Sequence, residues 1–422
     1  MEPGMKSPFP LLLSALLVLA GALPGPAFAQ AAERQPVLII SIDGMMPGAV
    51  LQADAHGLKI PVLRSFLKQG SYAREVVNVN PTVTNPNHTT LVTGVLPREH
   101  GIFNNRPFAP LERAPRTYRL YSQIKAQTLW GAAKQAGLVT GSIFWPVTDQ
   151  AGDIDFKVTT GANEDEAAIA RTAAAMIAAH RPELLTVHFV SLDHRAHETG
   201  PFSPEANAAL ERIDSAIGML IEAERKAYPD AIVAIVSDHG FAPASQQVHL
   251  NIAFADAGLL TLDKGPEPAV ASWRATAWYV GAMAMIVVHD PRDHAMVRQV
   301  KRLLDQLAAD PANGIEGIHD RAAIAGLGLP PVDFVVAFKP GYRMGTALNG
   351  PLRTASKGGA HGAFSTRTLR PDMHSAFLIA GPGIVAGRNL GTIDMRQIAP
   401  TIAQKLGVAL PVAKMPPLPL AD

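Results

Sequence analysis

The chain has 422 residues, 37 of them basic and 36 acidic, for a formal net charge of +1. That balance excludes a polybasic nucleic-acid scaffold or membrane-surface binder. Hydrophobic residues at 48% and charged residues at 17% describe a globular protein, and the absence of cysteine excludes a disulfide framework and a lipid-modified cysteine.

Lys6 supplies a weak positive start, residues 11–22 are apolar, and Ala27-Phe28-Ala29 offers the small residues a signal peptidase reads. The expectation is a signal peptide over 1–29, cleavage before Gln30, and export to a periplasm or beyond the cell. The apolar run is short for a bilayer span, so no membrane span is expected in the mature form. The apolar run over 37–42 ends in Asp43-Gly44 and reads as a buried strand of a parallel sheet. A short amphipathic helix is expected over 61–68. A helix over 84–95 has Pro86 near its start and Pro97 beyond its end. Helix 128–136, strand 138–145, Ala-rich helix 166–180, strand 184–190, helix 203–227 and strand 231–237 follow. This alternation predicts an α/β fold, with a mostly parallel central sheet and helices on both faces.

The register weakens over 248–356. Strand material at 275–288, a helix at 295–307 and a strand at 332–338 suggest a small accessory subdomain inserted into a catalytic domain of 30–422. Core elements return at 375–380 and 395–406.

Parallel sheets gather functional groups beyond the C-terminal ends of their strands. Three such ends carry Asp43, Asp193 and Asp238. His197 follows Asp193 by four residues, and His239 follows Asp238 directly. His361 stands among glycines in 358–362, where small residues let backbone approach a crowded site. Mixed carboxylate and imidazole groups suit first-row metals, Zn²⁺ among them. Six such groups make two sets of three, enough for a pair of metals acting on a phosphoryl group. His289-Asp290 also ends a predicted strand and is the nearest rival pair. His194 lies inside the Asp193 stretch but off ligand spacing.

Thr84 opens a helix among hydroxyls and amides, in Thr84-Asn85-Pro86-Asn87-His88. A helix N-terminus favours phosphate, and a metal-activated hydroxyl there is a nucleophile. Thr at such a position is also a common N-cap, and the residues alone leave both roles open. Asn104-Asn105 supplies amide donors for a phosphate oxygen.

These stretches together resemble the nucleotide pyrophosphatase/phosphodiesterase family of the alkaline phosphatase superfamily. The matching segments are 41–44, 84–94, 97–105, 144–146, 193–197, 237–240 and 359–362, in the family's order. The resemblance implies an alkaline phosphatase-like fold with two zinc ions. Asp43, Thr84, Asp238 and His239 would hold one; Asp193, His197 and His361 the other. Thr84 would attack phosphorus to form a phosphothreonine, and Asn105 would bind a phosphate oxygen. The expected substrate is a small phosphodiester or pyrophosphate, with no stable nucleic-acid partner. Asn85 and His188 fall at the family's substrate-contacting positions, where nucleotide-cleaving members carry aromatic residues. That departure opens phosphonate hydrolysis or phosphate monoester hydrolysis as alternatives, with Arg195 or Lys357 to neutralise extra charge. An exported binding protein without catalysis is the alternative from another class.

Overall fold

The computed structural model describes Met1 and residues 34–161 and 163–421. The expected signal peptide, apart from Met1, lies outside the described residues. The chain divides into two units, Met1–Ala32 and Glu33–Asp422, and the elements below all belong to the second.

An eight-stranded sheet forms the centre. Its order is Arg388–Asn389, Ser71–Tyr72, Phe377–Ala380, Ile232–Val236, Val37–Ile42, Leu184–Phe189, Thr140–Ile143 and Phe156–Val158. Val37–Ile42 runs parallel to both of its neighbours. Phe377–Ala380 runs antiparallel to the strands on either side, so the sheet is mixed, with a parallel middle. Side chains alternate across a strand, and the first strand divides accordingly. Leu38, Ile40 and Ile42 join one buried cluster with Leu63, Ile169 and Leu210. Val37 and Ile39 join another with Trp130 and Ile402. Helices Pro61–Gln69, Glu166–His180 and Pro204–Ala227 therefore cover one face, and Leu129–Gln135 and Ile398–Leu406 the other. Each fully buried aliphatic side chain contributes roughly 1.5–3 kcal/mol.

The predicted helix over 84–95 ends at Thr93, because Gly94 takes φ +72° and terminates it. The strand material at 275–288 is a hairpin, Ala275–Tyr279 paired with Met283–Val288. With Phe334–Phe338 and Ile315–Asp320 it builds a second, antiparallel four-stranded sheet. Helix His294–Ala309 packs into the core of this sheet through Met296, Val300 and Leu304.

A further four-stranded sheet, built on Ala242–Val248 with Gly341–Met344, Arg353–Ala355 and Gly359–Ala360, reaches the site. Ala242–Val248 leaves directly after Phe241 and pairs at its start with Gly359–Ala360. The register Ala360↔Ala242 returns His361 to the neighbourhood of His239. Sequence reading passed over this strand because Ala-Pro-Ala-Ser-Gln-Gln-Val carries no apolar alternation.

Candidate active site

The parallel strands bring Asp43, Asp193 and Asp238 to one edge. The register sets Ser41 opposite both His188 and Val236, so all three strands end together. Asp193 and His197 then share a face of the Ser191–Thr199 helix, as residues four apart do. Gly44 takes φ +73° and donates its N–H to Asp238 Oδ1 at 3.1 Å. Gly358, at φ +79°, passes so close to the His197 carbonyl that a Cβ would lie 2.0 Å from its oxygen. Only glycine fits there, and the next residue's carbonyl accepts from His197 Nδ1 at 3.2 Å.

Two candidate ligand sets meet at this edge. Asp43, Asp238 and His239 offer atoms within 4.8 Å of one another, as do Asp193, His239 and His361. His239 Nε2 lies 3.3 Å from Asp43 Oδ1 and 3.2 Å from Asp238 Oδ2. Asp193 reaches within 3.6 Å of both His197 Nε2 and His361 Nε2. Those two imidazole nitrogens are 3.1 Å apart. The other nitrogen of each ligand imidazole faces a carbonyl: Gly240 for His239 and Thr82 for His361. Such a bond fixes the tautomer and turns the free nitrogen inward.

Asp43 Oδ1, Asp193 Oδ1, Asp238 Oδ2 and His239 Nε2 are buried without a hydrogen-bond partner. Stranded buried polar atoms are costly; four converging here fit a cation-binding site. A third cluster, Asp43, His88 and His188, does not fit one. His88 uses its nitrogens on Ser41 Oγ (2.8 Å) and the Thr84 carbonyl (3.0 Å). His188 uses its own on Asp43 Oδ2 (2.9 Å) and the Phe144 carbonyl (3.1 Å). Phe144 adopts φ +56° as it presents that carbonyl, a strained conformation of the kind that gathers at functional sites.

The site's charges are strongly coupled. Burial raises the Asp43 carboxyl well above its ordinary range, and Asp238 and Asp193 add to it. Burial also pushes Asp193 up to about 6, with the His239 imidazole pulling against it. Burial opposes ionisation of Asp238 too, but the His239 and His88 imidazoles outweigh it and hold that carboxyl below the usual range. Burial, then His239 and His197, lowers His361 well below an ordinary imidazole. His188 is lowered to about 3 by burial and His88. Neutral imidazoles are the form that ligates metal.

Thr84 is the first residue of the Thr84–Thr93 helix; the N-cap is Val83, and no side chain caps it. Asn87 shapes the approach instead, donating to the Pro81 and Val83 carbonyls and accepting from Val79 N–H. Asn105 Nδ2 lies 3.5 Å from Thr84 Oγ1. Asn85 and His188 do not stand open towards a substrate. The Asn85 amide donates to the Asn105 and Tyr118 carbonyls, and His188 is buried behind Asp43. The reason for His188 is its register beside Ser41, which turns its ring toward the ligand carboxylate. Arg195 is held by Glu198 at 2.6 Å and Glu164 at 3.4 Å. His194 lies on Glu164, and Asp290 turns back onto Arg292. Sequence reasoning missed the second layer of His88 and His188. The spacing of four between Thr84 and His88 was the available signal for the first.

The family model described as "Type I phosphodiesterase / nucleotide pyrophosphatase" matches residues 37–363. Human ectonucleotide pyrophosphatase/phosphodiesterase family member 1 is 29% identical over 250 residues, covering 56% of this chain and 27% of the relative. Human family member 5 is 28% identical over 255 residues, covering 58% of this chain and 52% of the relative. The aligned part thus spans about a quarter to a half of these relatives. The structure of human ectonucleotide pyrophosphatase/phosphodiesterase 5 superposes with a TM-score of 0.70 at 21% identity, over 91% of this chain and 96% of that one. The murine protein, in an inactive threonine-to-alanine form in complex with AMP, gives 0.69 at 20% identity, over 91% of this chain and 97% of that one. The fold is alkaline phosphatase-like, a mixed central sheet with helices on both sides.

Proposed function

The chain belongs to the type I phosphodiesterase/nucleotide pyrophosphatase family, and from that premise we propose that it is a zinc-dependent hydrolase of phosphodiester or pyrophosphate bonds with Thr84 as nucleophile. The observation that carries this reading is the set of four stranded atoms on Asp43, Asp193, Asp238 and His239, with Thr84 linked to them through His88, whose Nδ1 lies 3.0 Å from the Thr84 carbonyl and 3.4 Å from Asp238 Oδ2. Asp43, Thr84, Asp238 and His239 would hold one zinc; Asp193, His197 and His361 would hold the second. When bound, the pair supplies Lewis acidity that lowers the pKa of a hydroxyl and balances charge on phosphate oxygens. Thr84 Oγ1 bonds to phosphorus as the bond to the leaving oxygen breaks. The group left on Thr84 still carries the substrate's other ester substituent; water then hydrolyses this threonine phosphodiester, giving a phosphate monoester and restoring the hydroxyl. Asn105 Nδ2 donates to a non-bridging oxygen as its charge grows. His188 Nε2 holds Asp43 in place from behind at 2.9 Å from Oδ2, and His88 Nδ1 lies 3.4 Å from Asp238 Oδ2. The inactive threonine-to-alanine form of the murine relative supports a threonine nucleophile.

Arg195 is taken up by two glutamates, which favours a substrate group with a single negative charge. Steady-state turnover of a bis-aryl phosphate is therefore expected to exceed that of an aryl monophosphate and of phosphonoacetate. Faster cleavage of either of the latter two would overturn the diester reading. Among the described residues no helix is long and apolar enough to cross a membrane. Export by a signal peptide over 1–29 rests on the sequence pattern, and we read 248–356 as the accessory insertion that carries the second sheet.

Zinc binding is expected to release protons. Asp193, pushed up to about 6, and Asp43, raised well above its ordinary range, must be ionised to ligate. Affinity should fall as pH drops from about 7 to about 5 while protons compete for the carboxylates. Calorimetry of the metal-free protein in two buffers of different ionisation heat measures this. Zero proton release with pH-independent affinity would contradict it.

A further inference from the structure

Asn85 stands beside the nucleophile, yet its polar groups address the protein. Its backbone N–H donates to Asn105 Oδ1 at 2.8 Å. Its side-chain Nδ2 donates to the Asn105 carbonyl at 3.3 Å and the Tyr118 carbonyl at 3.2 Å. Both hydrogens of the amide are therefore used. The Asn105 carbonyl also accepts from Tyr118 N–H at 3.0 Å. On the other side, Asn105 N–H donates to Asn104 Oδ1 at 2.8 Å, and Asn104 Nδ2 donates to the Tyr279 carbonyl at 2.8 Å.

We propose that Asn85 is a positioning residue, which acts by aiming the Asn105 amide at the oxygen beside the group that Thr84 attacks. A side-chain amide is planar. With Oδ1 tied to the Asn85 N–H, Nδ2 has one direction left, and that direction leads to Thr84 Oγ1. The Asn85 side chain fixes the backbone from which this amide springs. Donors that act on developing charge need placement within about 0.5 Å, so the loop must be held as firmly as the amide. Removing the Asn85 amide leaves two carbonyls in a part-buried corner with fewer donors, and the loop moves to find others. An aromatic side chain at this position could not make these bonds, so the Asn85 amide serves the donor loop.

The proposal rests on the hydrolase reading above, and a double-mutant cycle separates the two. Turnover of a bis-aryl phosphate is measured for the zinc-loaded wild type, Asn85→Ala, Asn105→Ala and the double variant, with zinc content recorded for each. Asn105→Ala is expected to lower kcat roughly 10²–10³-fold, as loss of one such donor does. Asn85→Ala should lower kcat about 10-fold or more with KM changed less than about 3-fold, and the double variant should be no slower than Asn105→Ala. Effects that multiply in full, or a change in KM alone, would overturn it. Asn85→Asp, equal in shape but without donors, repeats the cycle if the alanine variant folds poorly; an added charge acting on its own would persist in the Asn105→Ala background. A crystal structure of Asn85→Ala or Asn85→Asp reads the proposal without activity. The Asn105 amide should be displaced from Thr84 Oγ1, and an unmoved amide overturns the proposal even if the wild type cleaves no phosphate ester. Absence of all phosphate-ester turnover by the wild type counts instead against the hydrolase reading.

Discussion

Thr84→Ala is expected to lower turnover of a bis-aryl phosphate by roughly a thousandfold or more, with little change in melting temperature. The two halves of that expectation separate a nucleophile from a cap. A capping threonine lost to alanine costs about 1 kcal/mol of stability. Here Val83 is the N-cap, and no side chain caps the helix, so the hydroxyl has no such bond to lose. Thr84→Ser keeps a hydroxyl in place, primary where threonine's is secondary, and should retain measurable activity. An aryl phosphate trapped on Thr84 in an acid-quenched reaction would identify the intermediate. Unchanged turnover in Thr84→Ala would remove the nucleophile from the mechanism.

Stripping the protein with a chelator should abolish activity, and adding zinc should restore it. Elemental analysis is expected to find two zinc ions per chain. The physical basis is the four atoms buried at the strand ends without a hydrogen-bond partner. His361→Ala should leave one zinc per chain and cost roughly a hundredfold or more in rate, since ligands and nucleophile act as a unit. The stripped protein should also melt at a lower temperature, because a ligand bound only by the folded state stabilises it. Zinc bound without turnover of any phosphate ester would instead favour a binding protein. Full activity after complete stripping would exclude the metal-dependent reading altogether.

Much of this site was legible along the chain. Apolar runs that end in Asp43 and Asp238 announce parallel strands and their functional ends, and the Glu166–His180 helix was read with both boundaries correct. Asp193 and His197 were legible as neighbours because four residues make one turn of helix. What the sequence left hidden depends on contacts between distant segments. Whether His188 faces substrate or Asp43 is decided by its pairing with Ser41, a partner far away in the chain. The bonds of Asn85 depend on where the loop carrying Asn105 and Tyr118 comes to rest. The Ala242–Val248 strand has too little apolar pattern to announce itself, yet its pairing with Gly359–Ala360 delivers His361.

That last pairing bears on how the protein comes into being. His361 arrives late in the chain and closes a ligand set that begins at Asp193, beside one that begins at Asp43. During synthesis the strands that end at Asp43 and Asp238 emerge before His361 and the Gly359–Ala360 strand that carries it. On the proposed reading, a nascent chain without that strand lacks a member of the second metal set. Contacts between such distant segments also form late in folding, after the loop between them has closed. On the proposed reading, the hydrolytic centre is assembled only once these distant segments have paired.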